Sequence, residues 1–208
     1  MVGFDYEGKI RAFLIDLTKL DIERKTTLAA VVTHLNSPTP AVRDAAKRLA
    51  GEIVAFRKAN PKKEGEPMIP INLFGHSNGT IVILLALDQL PEGMKVDNVV
   101  LAASPLNASD KDNIKKLEDI TKTRAGKITM HYSKWDLATN NGIVGGGRDV
   151  NAVGVVRIDW SKEIQGKVNR RTGEMERTLG AHSMFTDTGV DWFYIYADEL
   201  AWKQEGKK

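Results

Sequence analysis

The sequence contains no cysteine, which excludes disulfide bonds, thiolate metal ligands and cysteine nucleophiles. A large excess of one charge is also missing, since 30 basic and 27 acidic residues leave a formal net charge of +3. So small a surplus does not predict a nucleic-acid partner. The longest apolar run, Ile81–Leu87, is too short to span a bilayer, and the first residues do not resemble a secretory signal. We therefore expect no integral membrane segment and a cytoplasmic location.

The composition is that of a globular protein. Of the 208 residues, 42% are hydrophobic and 27% are charged, which is enough apolar side chain for one continuous core. The sequence shows no internal repeat and no interdomain linker, so we predict one domain over residues 1–208. No group of His, Asp and Glu has the spacing of metal ligands, and we expect neither a metal nor a cofactor.

The first third of the chain has helical periodicity. Apolar residues at Ile10, Phe13, Leu14, Leu17 and Leu20 predict one short helix, and those from Leu28 to Leu35 predict another. Residues 1–38 are therefore expected to form a helical segment in place of early strands. Thr39 and Pro40 have the residue types of a cap and a first turn, and they predict a third helix over Pro40–Ala59.

Short apolar strands alternate with helices over the rest of the chain. The predicted strands are Met68–Phe74, Val96–Ala103, Lys127–Tyr132 and Val153–Ile158. The predicted helices are Thr80–Leu90, Lys111–Thr123 and a last one starting near Asp187. Such alternation is typical of an α/β fold, and we predict three α/β/α layers around a mainly parallel sheet.

A G-x-S-x-G motif stands between the first of these strands and its helix. It reads Gly75-His76-Ser77-Asn78-Gly79. A strand that turns sharply into a helix holds its middle residue in a strained conformation and leaves room only for glycine on either side. The pattern predicts that Ser77 is a nucleophile and that the backbone N–H of Asn78 faces the oxyanion; a tight structural turn is the alternative.

A nucleophilic serine needs a base, and the sequence has four histidines. His34 precedes the predicted sheet, His76 flanks the serine, and His131 lies within a strand, where a hydrogen-bonded core role is expected. His182 follows the last strand region and precedes the last helix. We therefore predict His182 as the base, with a structural loop histidine as the alternative.

The orienting carboxylate is predicted to be Asp136. It follows the strand Lys127–Tyr132, so it belongs to the same sheet edge as the motif. Asp110 is the main rival, although its position before a helix also suits a cap. Asp149, in a glycine-rich loop, and Asp159, just after a strand, are the other candidates.

The order Ser77, Asp136, His182 is that of the α/β-hydrolase triad. Residues Ile71–Gly79 resemble a strand and nucleophile elbow of lipases and esterases of the α/β-hydrolase family. The elbow is the sharp turn from strand to helix that carries the serine, here Ser77. The resemblance implies a serine hydrolase that cleaves carboxylic esters through an acyl-enzyme, with a small-molecule ester or acyl compound as substrate. The family normally has several strands before the elbow, and only Val2-Gly3-Phe4 is similar to the end of its oxyanion loop, which would make Phe4 a second donor.

Two other functional classes stay open on the sequence alone. The expected shortening of the N-terminal sheet would suit a catalytically inactive module of this fold that binds a ligand or a partner protein. A nucleotide-binding α/β protein is disfavoured, because a serine between glycines followed by Asn78 makes a poor phosphate loop. A chain this short can also complete its pocket with a second subunit, so a homo-oligomer is among the arrangements considered.

Overall fold

The structure is a computed structural model that describes residues 2–6, 10–14, 35, 38–107, 109–133, 136 and 150–161, with the first two ranges described as backbone. Its strands are β1 (Val2–Tyr6), β2 (Ile10–Leu14), β3 (Ile71–His76), β4 (Val96–Ala102), β5 (Ala125–Tyr132) and β6 (Val155–Asp159). Its helices are α1 (Pro40–Ala59), α2 (Asn78–Asp88) and α3 (Lys111–Thr123). None of these described helices has both the length and the apolar character needed to cross a membrane.

The strands form one six-stranded sheet in the order β1-β2-β3-β4-β5-β6. β1 pairs antiparallel with β2, and every later pairing is parallel. In the register of the parallel part, His76, Ala102, His131 and Ile158 stand side by side. The carboxyl ends of β3 to β6 therefore meet along one edge, called here the carboxyl edge. The predicted α/β fold with a mainly parallel sheet is confirmed.

Both faces of the central strands are covered. Four consecutive residues are buried in β4, Val99–Ala102, and four in β5, Ile128–His131, and consecutive strand residues point to opposite faces. Because right-handed crossovers that progress in one direction place their helices on one face, α2 and α3 share a face. The last predicted helix, near Asp187, lies outside the described residues, so the second helix layer stays a prediction.

Helix α1 begins and ends where the sequence predicts. The Thr39 side chain accepts a hydrogen bond from the Val42 N–H at 3.4 Å, and Pro40 occupies the first turn. At the other end, the Asn60 backbone N–H donates to the Phe56 carbonyl. The buried residues of α1 recur at helical spacing, and this face packs on α2.

The prediction of a helix from Ile10 is wrong for Ile10–Leu14, and the expected absence of early strands is wrong as well. Ile10, Phe13 and Leu14 fit a helical period, but Ile10, Ala12 and Leu14 also fit the alternation of a strand. In so short a run the available partner decides, and β2 pairs with β3 along Arg11–Leu14. The second predicted N-terminal helix lies outside the described residues, apart from Leu35.

Candidate active site

Ser77 has the backbone conformation that the motif predicts. It lies between β3 and α2 with φ 52° and ψ −127°, close to the first central position of a type II′ turn, which glycine usually occupies. For a serine this conformation is strained, at a cost of about 1–3 kcal/mol. The surrounding structure must hold the residue there, and Ser77 stays only partly buried.

Gly75 shows why the position before the motif's histidine has no side chain. A Cβ atom on Gly75 would lie 2.8 Å from Cδ1 of Ile83 and 2.9 Å from the carbonyl carbon and oxygen of Gly79. Helix α2 thus packs directly against the end of β3. This close contact makes the turn at Ser77 sharp.

The backbone of Ser77 is tied on both sides. Its N–H donates to the Ala102 carbonyl at 3.0 Å, which extends the pairing of β3 with β4 by one residue. Its carbonyl accepts two hydrogen bonds from Thr80, one from the backbone N–H at 3.0 Å and one from the hydroxyl at 2.7 Å. The Thr80 hydroxyl is also 2.7 Å from the Ser104 hydroxyl.

Asp136 lies just past β5 at the carboxyl edge and is 1% exposed. Its backbone N–H donates to the Ser133 carbonyl at 3.1 Å. One strand, β4, separates β3 from β5, so their axes are about 10 Å apart. A gap of that size can hold an imidazole with a hydrogen bond of about 3 Å on each side.

Two rival carboxylates have other roles. Asp110 caps α3, because its side chain accepts from the N–H groups of Asp112 and Asn113, which is the alternative role that its sequence position suggests. Asp159 accepts hydrogen bonds from both the backbone N–H and the hydroxyl of Ser161. Asp149 lies outside the described residues.

The two histidines that the structure describes have different environments. His131 is 0% exposed, and its Nδ1 accepts a hydrogen bond from Nε1 of Trp160 at 2.8 Å, so the expected core role is confirmed. His76 is the last residue of β3 and is partly buried. His182, the predicted base, and His34 lie outside the described residues.

Phe4 does not fit a donor to an oxyanion on Ser77. It lies in the middle of β1 and pairs with Ala12, which in turn pairs with Asn72 near the start of β3. At about 3.3 Å per residue, Asn72 precedes Ser77 by roughly 16 Å along the chain. The carboxyl end of β2 is closer to the elbow in register, because Leu14 pairs with Phe74.

Sequence reasoning did not single out Thr80 and Ser104. Both are buried, at 0% and 2% exposure. Thr80 directly precedes the apolar stretch of α2 and stands three residues after the helix cap, where a hydroxyl readily bonds to backbone. That signal is present in the sequence, whereas the contact with Ser104 depends on the tertiary fold.

A parallel sheet, a strained serine at a strand-to-helix turn and a carboxylate two strands away are features of hydrolase-type α/β folds. The chain matches the model of a family described as alpha/beta hydrolase over residues 24–119. This match supports membership of the α/β-hydrolase superfamily and includes the elbow, but it ends before Asp136 and His182. No curated protein matches the chain.

Proposed function

We propose that this protein is a serine hydrolase that cleaves carboxylic esters through an acyl-enzyme on Ser77. His182 is the general base, Asp136 orients it, and the backbone N–H of Asn78 donates to the oxyanion. The proposal adds a reaction and a set of residues to the family assignment.

The observation that carries it is the conformation of Ser77. A strained φ of 52° on a non-glycine residue is retained only where the surroundings enforce it, and such residues concentrate at functional sites. A purely structural turn at this point would be more stable with glycine. Ser77 is also only partly buried at the start of α2, which supports access of a substrate to this residue.

The proposed chemistry follows the serine, histidine and aspartate pattern. His182 takes the proton from the Ser77 hydroxyl as its oxygen attacks the carbonyl carbon of the ester. The N–H of Asn78, at the positive end of α2, stabilises the negative charge on the former carbonyl oxygen. His182 then gives the proton to the departing alcohol, and water releases the acid in a second round of the same steps. Asp136 stabilises the imidazolium that forms on His182.

The alternative of an inactive binding module drew on the expected lack of early strands. The structure has β1 and β2, and β2 runs parallel beside β3 with its carboxyl end towards the elbow. The described sheet thus has two strands before the elbow, which weakens the feature that favoured an inactive module. An inactive module remains the result that failed labelling would indicate.

Covalent labelling with a fluorophosphonate tests the nucleophile. We expect the folded wild type to be labelled and Ser77→Ala to be unlabelled, with no turnover of short-chain nitrophenyl esters. Ser109→Ala is the matched control, because Ser109 is an exposed serine in the loop before α3, and its labelling should equal that of the wild type. An unlabelled wild type with a cooperative melting transition would contradict the proposal.

A second pair of variants tests the carboxylate. Asp136→Asn should lower kcat by up to about 10⁴-fold, as expected when the base loses its correct tautomer. Asp110→Asn keeps a side chain that can cap α3 and should leave kcat within about twofold of the wild type. The reverse pattern would assign the acid role to Asp110.

A further inference from the structure

We propose that Thr80 and Ser104 are positioning residues that orient and polarise the peptide group between Ser77 and Asn78. The inference rests on the proposed function, since its consequence is a better donor to the oxyanion. It concerns residues that never touch substrate. Its basis is the pair of buried hydroxyl contacts beneath the elbow.

The hydroxyl protons of Thr80 and Ser104 can be placed in only one way. A carbonyl oxygen cannot donate, so the single hydroxyl proton of Thr80 goes to the Ser77 carbonyl at 2.7 Å. The Ser104 hydroxyl must then donate to Thr80, also at 2.7 Å, and it accepts in turn from the Leu106 N–H at 3.4 Å. The result is a relay of three hydrogen bonds that ends on the nucleophile's own carbonyl.

The geometry of the peptide unit links this carbonyl to the oxyanion. In a planar trans peptide, the C=O of Ser77 and the N–H of Asn78 point in opposite directions. Two bonds from Thr80, from its backbone N–H and its hydroxyl, hold the carbonyl on the helix side. The N–H of Asn78 is thereby aimed away from α2, towards the side where an oxyanion on a substrate bound to Ser77 would form.

The relay also strengthens the donor. Hydrogen bonds accepted by a carbonyl polarise its amide, and chained bonds reinforce one another. Because both hydroxyls are buried, water does not compete for them. The relay is therefore an electrostatic support for the oxyanion as well as a mechanical one.

A second strained residue places Ser104 in this relay. Ala103, directly after β4, has φ 48°, and its N–H donates to the His131 carbonyl at 2.9 Å. The chain thus turns abruptly at the carboxyl edge, and the next side chain meets Thr80. The strained backbone at Ala103 is explained if the contact that it allows between Ser104 and Thr80 supports the turn at Ser77.

Kinetics with a matched ester and thionoester test the inference. Sulfur is a weaker hydrogen-bond acceptor than oxygen. The kcat/KM of the ester divided by that of the thionoester, called here the ratio, therefore reports the strength of the oxyanion donor. Removing a whole donor costs about 10²–10³-fold in kcat, and we expect a misaligned one in Thr80→Val to lower the ratio by about tenfold. Thr80→Ser restores the hydroxyl and should return the ratio to within about twofold of the wild type.

Two further variants keep folding apart from function. Thr80→Val combined with Ser104→Ala leaves no hydroxyl of the pair unsatisfied, and it should lower the ratio as Thr80→Val does. Thr121→Val removes a hydroxyl that donates to the Leu117 carbonyl at 2.7 Å in α3, a similar bond far along the chain from the elbow. It should leave the ratio unchanged.

The outcomes separate this inference from the proposed function. A folded wild type that neither hydrolyses the ester nor reacts with a fluorophosphonate overturns both. An active wild type whose ratio is unchanged in Thr80→Val and in the double variant overturns the inference alone. An equal loss of kcat/KM for ester and thionoester would also overturn it, because a general structural fault would slow both.

Discussion

The two ends of the parallel sheet are held together in different ways. At the carboxyl edge, the non-glycine residues with positive φ, Ser77 and Ala103, follow neighbouring strands, and buried hydroxyls bond beneath them. At the amino end, the Asp97 carboxylate accepts from the Ile71 N–H at 2.7 Å and forms an ion pair of 3.0 Å with Arg57. The guanidinium of Arg57 also donates to the carbonyls of Ile69 and Lys95.

The carboxyl edge carries strained backbone, whereas the amino end is held by hydrogen bonds and an ion pair. Within the part of the chain that the structure describes, Ser77 and Ala103 are the non-glycine residues with positive φ, and both lie on the carboxyl edge. At the amino end, Arg57 of α1 and the partly exposed Asp97 carboxylate connect α1 to the starts of β3 and β4. Strained backbone costs stability and concentrates at functional sites, so its position at the carboxyl edge favours this edge as the location of the candidate site.

Gly75→Ala should break the carboxyl edge and have the largest effect. The new Cβ would meet Ile83 and the backbone of Gly79 at less than 3 Å, so either α2 moves or β3 does. We expect a loss of about 3 kcal/mol in the free energy of unfolding and a loss of fluorophosphonate labelling in the protein that remains folded. Chemical denaturation and labelling under native conditions measure the two effects.

Gly126→Ala is the control for this prediction at the amino end. Its Cβ would lie 2.6 Å from the Asp97 carbonyl oxygen, so it should also lower stability. The folded fraction should still be labelled at the wild-type rate. Equal labelling of the folded fraction in both variants would mean that the comparison of the two ends is mistaken.

Asp97→Ala should weaken the amino end without reaching the site. It removes the acceptor for the Ile71 N–H and leaves Arg57 without its ion pair. Since the Asp97 side chain is 42% exposed, solvent moderates the loss, and we expect about 1–2 kcal/mol by urea denaturation. Asp97→Asn keeps an acceptor oxygen and should lose less. A fall in the rate of labelling of folded Asp97→Ala would contradict the separation.

Ser77→Gly tests whether the elbow stores strain. Both Ser77→Gly and Ser77→Ala remove the nucleophile, but only glycine adopts φ 52° at little steric cost. Ser77→Gly should therefore be about 1 kcal/mol more stable than Ser77→Ala in thermal or urea unfolding. At Ser109, where no positive φ occurs, glycine should give no such gain over alanine. Equal stabilities at Ser77 would show that the turn is relaxed.

Sequence patterns predicted the parts of the fold that local chemistry decides. The first residues of α1 and α3 agree with the prediction because Thr39 and Asp110 cap the helix starts with side-chain oxygens. The position of the elbow was predictable because Gly75 and the strained Ser77 obey constraints within a few residues. Here local rules and the fold agree.

The missed features depend on partners distant in sequence. β2 is a strand because β3 is available to pair with it, and nothing within Ile10–Leu14 distinguishes this from a helix. Thr80 and Ser104 meet only because the turn at Ala103 returns the chain towards α2. Such contacts follow from the assembled sheet and are not written in any local pattern.

Gly51→Ala should have the smallest effect. It lies in α1, away from both ends of the sheet, and so serves as a reference for the comparison. Gly51 is exposed within α1, and a Cβ there would meet no atom within 4 Å. Alanine at a helical position without a clash should raise the free energy of unfolding by about 0.5–1 kcal/mol, because glycine loses more backbone entropy on folding. The melting temperature should rise by about 1–4 °C with an unchanged labelling rate. A loss of stability would contradict the open space at this position. A change in labelling would mean that α1 transmits strain to the elbow through its packing on α2.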